Sequence, residues 1–74
     1  VQVEQDRIEV LRLKDGRLAV RRYQLGLLRE ATYLAQPELL AWLAAWPGLS
    51  VLLHRSAAPL AAQLRAAGRM VWGG

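Results

Sequence analysis

A chain of 74 residues makes one domain, residues 1–74, and at this size folding hides only about 60% of the surface that the unfolded chain exposes, so stability is thin unless something is added. The absence of cysteine excludes disulfides and thiolate metal sites, and a single histidine excludes the imidazole clusters that hold many other metals. A formal charge of +4 with a pI near 10.7 permits acidic partners without requiring one, while 54% apolar residues are more than so small a domain easily hides, which predicts a homo-oligomer.

Nine of the ten basic residues are arginine, a bias that a GC-rich genome or heat adaptation explains as readily as function does. Heat adaptation is the weaker explanation, because its commoner signature is lysine with glutamate. No charged leader with an apolar run and a cleavage site is present, so the expected location is cytoplasmic. The most membrane-like stretch, residues 39–53, is 15 residues long and broken by Pro47-Gly48, too short for a bilayer core of about 30 Å, and no membrane partner is expected.

In chain order, residues 1–6 read as a frayed arm or the beginning of a strand. Residues 7–14 and 17–25 flank Asp15-Gly16, a dipeptide suited to a two-residue type I′ hairpin turn. That turn sets Lys14 against Arg17 and pairs Leu13 with Leu18, Leu11 with Val20, and Glu9 with Arg22 on one side. The other side then pairs Arg12 with Ala19, Val10 with Arg21, and Ile8 with Tyr23. Arg12, Lys14, Arg17 and Arg21 thus share a face with Tyr23. Arginine forks match phosphate oxygens and a tyrosine ring stacks on an unpaired base, so this face is a candidate surface for single-stranded nucleic acid. The plainer reading is a solvated face whose charges discourage aggregation, since no second aromatic stands among them.

Gly26 marks a bulge or turn, and residues 27–34 read as a third strand on the strength of Thr32-Tyr33, although Leu28-Arg29-Glu30-Ala31 would suit a helix. Pro37-Glu38 opens a helix that runs to Trp46, where Pro47-Gly48 ends it. Leu39, Trp42, Leu43 and Trp46 form a stripe at spacings of three and four, and Leu40, Ala41, Ala44 and Ala45 leave the helix no polar face. A sheet covers one side of such a helix and a second subunit is the expected cover for the other, which makes the stripe a candidate oligomer interface.

The unalternating run Val51-Leu52-Leu53 reads as a strand covered on both faces. Ser56 is placed to cap a helix whose first turn tolerates Pro59, Leu60 and Leu64 share its inner face, and Gly68 stops it. Residues 69–72 form a last strand, completing a parallel crossover expected to be right-handed. The carboxyl end of the first of these strands, where ligands settle in open α/β sheets, carries His54-Arg55-Ser56, and Arg55 with Ser56 is a candidate anion site. Neither GxGxxG nor GxxxxGK[ST] occurs, so a capping serine beside a surface arginine is the simpler account.

Catalysis is not expected. His54 is the only imidazole, the serines are Ser50 and Ser56, and Glu4, Asp6, Glu9, Asp15, Glu30 and Glu38 form no evident acid and base pair. No cofactor is implied. The predicted fold is α+β, a mixed sheet in the order strand, strand, strand, helix, strand, helix, strand, with both helices on one face. The expected function is a non-catalytic homo-oligomeric or protein-interaction module, with nucleic-acid binding by the hairpin and small-anion sensing as alternatives.

Overall fold

The computed structural model describes residues 6–73, and the expected arm at residues 1–5 lies outside them. The chain forms β1 (Arg7–Arg12), β2 (Leu18–Gln24), β3 (Leu27–Leu34), a 3-10 turn (Gln36–Glu38) leading into α1 (Leu39–Leu43), β4 (Ser50–Leu53), a 3-10 segment (Arg55–Leu60) leading into α2 (Ala61–Ala66), and β5 (Val71–Gly73). The strands make one five-stranded mixed sheet in the order β3-β2-β1-β4-β5. β1 to β3 are an antiparallel meander, and β4 and β5 continue the sheet parallel to β1. This is the α+β architecture that the sequence predicts.

A single face of the sheet carries the core. Ile8 and Val10 on β1 stand beside Val51 and Leu53 on β4, and Val10 faces Val20 on β2. These side chains, with Leu18, are buried under Leu39 and Leu43 of α1, Leu60 and Leu64 of the second helical segment, and Ala57. Both helices therefore lie on one face. Val51-Leu52-Leu53 was expected to be covered on both sides; Val51 and Leu53 are buried, but Leu52 points to the helix-free face and is only half-buried.

The first hairpin departs from expectation by one residue. Its loop is Lys14-Asp15-Gly16, closed by Leu13 N–H to Arg17 C=O at 2.8 Å and Gly16 N–H to Leu13 C=O at 3.0 Å. Asp15 keeps a negative φ while Gly16 is left-handed at φ +91°, so the turn is not type I′, which needs positive φ at both central residues. Asp15 holds this loop by accepting the Arg17 amide at 3.0 Å and its guanidinium at 2.7 Å. The pairs are consequently Arg12 with Leu18, Val10 with Val20, Glu9 with Arg21, and Arg7 with Tyr23. The left-handed pair of residues occurs instead between β2 and β3, at Leu25 (φ +55°) and Gly26 (φ +79°). Gly26, expected to mark a bulge or a turn, thus lies in the turn itself, and a separate slip of register after Arg22 leaves Arg29 unpaired.

The helices end differently from one another. α1 stops at Leu43 rather than Trp46, and single turns continue it, with Ala45 N–H to Trp42 C=O at 3.2 Å and Trp46 N–H to Leu43 C=O at 2.9 Å. α2 closes as a Schellman motif on Gly68 (φ +84°): Gly68 N–H bonds Arg65 C=O at 2.9 Å and Arg69 N–H bonds Leu64 C=O at 3.0 Å. Ser56 does not cap the preceding 3-10 segment. His54 stands at that position without a side-chain capping bond, and Ser56 Oγ instead accepts the Arg12 amide at 3.0 Å, tying the segment to the end of β1.

Candidate binding surface

The face of the sheet opposite the helices is uncovered among the described residues. Register places Leu28, Tyr23, Arg7 and Ser50 in one row across the strands, with Met70 beside Ser50 through a contact of Oγ to Sδ at 3.6 Å, and Ala31, Arg21, Glu9, Leu52 and Trp72 in the next. Tyr33, Ala19 and Leu11 make a third row. On this face Leu28 is 53%, Tyr33 64%, Met70 62% and Trp72 46% exposed. The apolar residues gather toward the two margins of the sheet. The charged ones occupy the middle.

That middle is a small ionic network. Arg7 donates through Nε to Glu9 Oε2 at 2.8 Å, and His54 Nε2 lies 3.3 Å from Glu9 Oε1, which leaves the Glu9 side chain 12% exposed. The Arg7 guanidinium also sits 4.1 Å from the centre of the Tyr23 ring, and that of Arg17 lies 5.5 Å from Tyr33. The amide of Arg17 and then its guanidinium hold the Asp15 carboxyl below the ordinary carboxylate range. Arg21 is exposed and makes no ion pair among the described residues.

The one-residue change of register divides the expected cationic face. Arg17, Arg21 and Tyr23 lie on the open face, whereas Arg12 aligns with Leu18 on the helix side and Lys14 sits in the loop. In exchange, the open face acquires Arg7 and Glu9 from β1. It also gains the second aromatic that the hairpin alone lacks, Tyr33, because β3 pairs alongside β2. Only the position of β3 in the sheet could reveal this neighbour; Thr32-Tyr33 marked a strand but not its partner.

The helical stripe is largely turned inward. Leu39 and Leu43 belong to the core, and Trp42 and Trp46 are half-buried against it. The Arg22 guanidinium covers Trp46 at 4.0 Å from the ring centre while its Nε reaches Glu30 at 3.3 Å. What α1 and the turns after it turn outward is chiefly Ala41, Ala44 and Ala45, so a second subunit is not needed to cover large apolar groups there. Below Trp46 lies a cleft of about 240 Å³ bordered by Asp6, Arg22, Gln24 and Leu49, smaller than the roughly 300 Å³ at which small-molecule pockets begin.

At the candidate anion site, Arg55 is exposed, Ser56 Oγ is engaged by β1, and the Ala57 amide is bonded to His54 C=O at 2.8 Å. The Ala57 amide is thus already paired, whereas Arg55 is free of ion pairs among the described residues and the Ser56 hydroxyl, which accepts from Arg12, keeps its own proton to donate. A different arginine has the more demanding environment. Arg69 donates to the carbonyls of Leu43 at 3.3 Å, Trp46 at 2.8 Å and Leu49 at 3.0 Å, fastening the turns after α1 to the strand that follows α2. Among the described residues no group of three His, Asp or Glu side chains converges to hold a metal ion, and no helix is long and apolar enough to cross a membrane.

Compared with known proteins, the chain matches no family model, no curated protein and no solved structure.

Proposed function

We propose that the chain is a non-catalytic interaction module that works as a homo-oligomer, and that its sheet, not the α1 stripe, makes the contact. The observation that carries this reading is the uncovered face, where Leu28, Tyr33, Met70 and Trp72 remain about half exposed or more. Completing their burial is worth roughly 1 kcal/mol each, or about 8 kcal/mol for two copies, against an association cost of at least about 4 kcal/mol. The face by itself therefore supports at most weak, reversible pairing, with dissociation constants in the millimolar range or weaker. Sedimentation from about 0.1 mM to 5 mM tests this, because that range brackets a millimolar constant. The wild type should shift from one copy to two, and Trp72→Ser, confirmed as folded by circular dichroism, should weaken the pairing about tenfold or more. A wild type that sediments as one copy throughout defeats the proposal.

The two arginine and tyrosine pairs favour a second reading, single-stranded nucleic acid lying across the same face with bases on Tyr23 and Tyr33. It ranks second because Glu9 and Asp15 already neutralise Arg7 and Arg17. Fluorescence anisotropy with a labelled mixed-sequence oligonucleotide separates the two. Affinity that falls steeply with salt and drops in Arg21→Ala supports nucleic acid, and binding that ignores salt removes it.

A further inference from the structure

β3 forms one margin of the sheet with its outer side unpaired by any described strand. It is the longest strand, at eight residues, and its stretch from Glu30 to Leu34 pairs regularly with β2 on the inner side. The bond from Leu13 N–H to Arg17 C=O fixes which residues of β2 face β1, namely the odd-numbered ones. Leu18, Val20 and Arg22 therefore bond to Leu34, Thr32 and Glu30, and the backbone groups of Ala31 and Tyr33 point away from the sheet.

We infer that two copies join antiparallel through β3 about a two-fold axis at Thr32; this rests on the homo-oligomer proposed above but is a contact separate from the open face, because it leaves Met70 and Trp72 at the far margin of the sheet uncovered. The sequence is self-complementary in this register. Ala31 faces Tyr33 of the other copy, small against large, and both lie on the open face. Leu34 faces Glu30 of the other copy, whose carboxylate is already held by Arg22 at 3.3 Å. No like charges meet. An axis at Glu30 would oppose two carboxylates, an axis at Ala31 would run into the slip at Arg29, and an axis at Tyr33 would draw Ala35 away from the turn it begins. The axis at Thr32 thus gives the longest ladder free of such conflicts. It exchanges backbone hydrogen bonds between each Ala31 and Tyr33 pair and joins two five-stranded sheets into one, with both open faces on the same side.

The test uses the chain's lack of cysteine. In the inferred dimer the two Thr32 residues form a non-hydrogen-bonded pair, with Cα atoms about 4.5 Å apart, a spacing at which a disulfide closes. In a glutathione buffer, Thr32→Cys should form a covalent dimer at least about tenfold more readily than Ala62→Cys, placed on the exposed surface of α2. Amide hydrogen exchange on the wild type should show Ala31 and Tyr33 gaining protection as concentration rises. If the wild type pairs in sedimentation but Thr32→Cys cross-links no better than Ala62→Cys and those amides stay unprotected, the β3 ladder is wrong and the association stands. A wild type that remains one copy defeats both.

Discussion

Leu25 is held in the left-handed region, where an L-residue costs about 1–2 kcal/mol, and its side chain is 66% exposed, so burial returns little. What keeps it there is the tight return from β2 to β3 and the bond from its amide to Asp6 Oδ1 at 2.8 Å. Leu25→Asn should therefore stabilise the fold by about 1 kcal/mol, since asparagine enters this region more easily. A urea titration should show a higher midpoint with an unchanged slope. The same scale explains where the sequence was legible and where it was not. Both turns were marked by glycine. Which of them would take two positive φ angles depended on Asp15, whose carboxylate found Arg17 and stabilised a three-residue loop instead. Alternation offered no correction, because β1 and its extension are apolar on both sides: Ile8 and Val10 on one, Leu11 and Leu13 on the other. Pairing with β4 selects the first set for the core.

At the scale of elements, the apolar helix was legible as an element but not in its destination. Spacing located Leu39, Trp42, Leu43 and Trp46 on one stripe, and that stripe packs on the chain's own sheet. The alanines opposite are small enough to meet water, so an all-apolar sequence here carries little surface to hide. Arg69 was not legible at all, because its role exists only once the turns after α1 bring three carbonyls together around it. Its guanidinium replaces the cap that the short α1 lacks. Arg69→Met keeps the stem but leaves those carbonyls without their donor, and should cost roughly 2–3 kcal/mol. Arg69→Lys should recover only part of the loss, since an ammonium has no fork to span them. Chemical denaturation followed by tryptophan fluorescence would measure both, Trp46 being beside the fastening.

For the whole molecule, a radius of gyration of 11.3 Å is what a compact single chain of this length has, about 11 Å. Core side chains such as Ile8, Val20, Leu43 and Leu64 are buried by the chain's own elements. Large apolar residues lie exposed along the bare side of the sheet, and the pairing proposed above would be a property of that surface rather than a condition for folding. The sheet itself is uneven in another respect. β1, β2 and β3 follow one another through short connections, whereas β4 must return to β1 from far along the chain, and β5, of three residues, pairs among the described strands with β4 alone. Because distant contacts are entropically slow to make, the meander should organise early in the folding reaction and β5 late. Stopped-flow mixing would then show Val20→Ala retarding refolding, while Val71→Ala leaves refolding nearly unchanged and accelerates denaturation. The edge carrying Trp72 would in that case be the first part of the molecule to be lost under stress and the last to be regained.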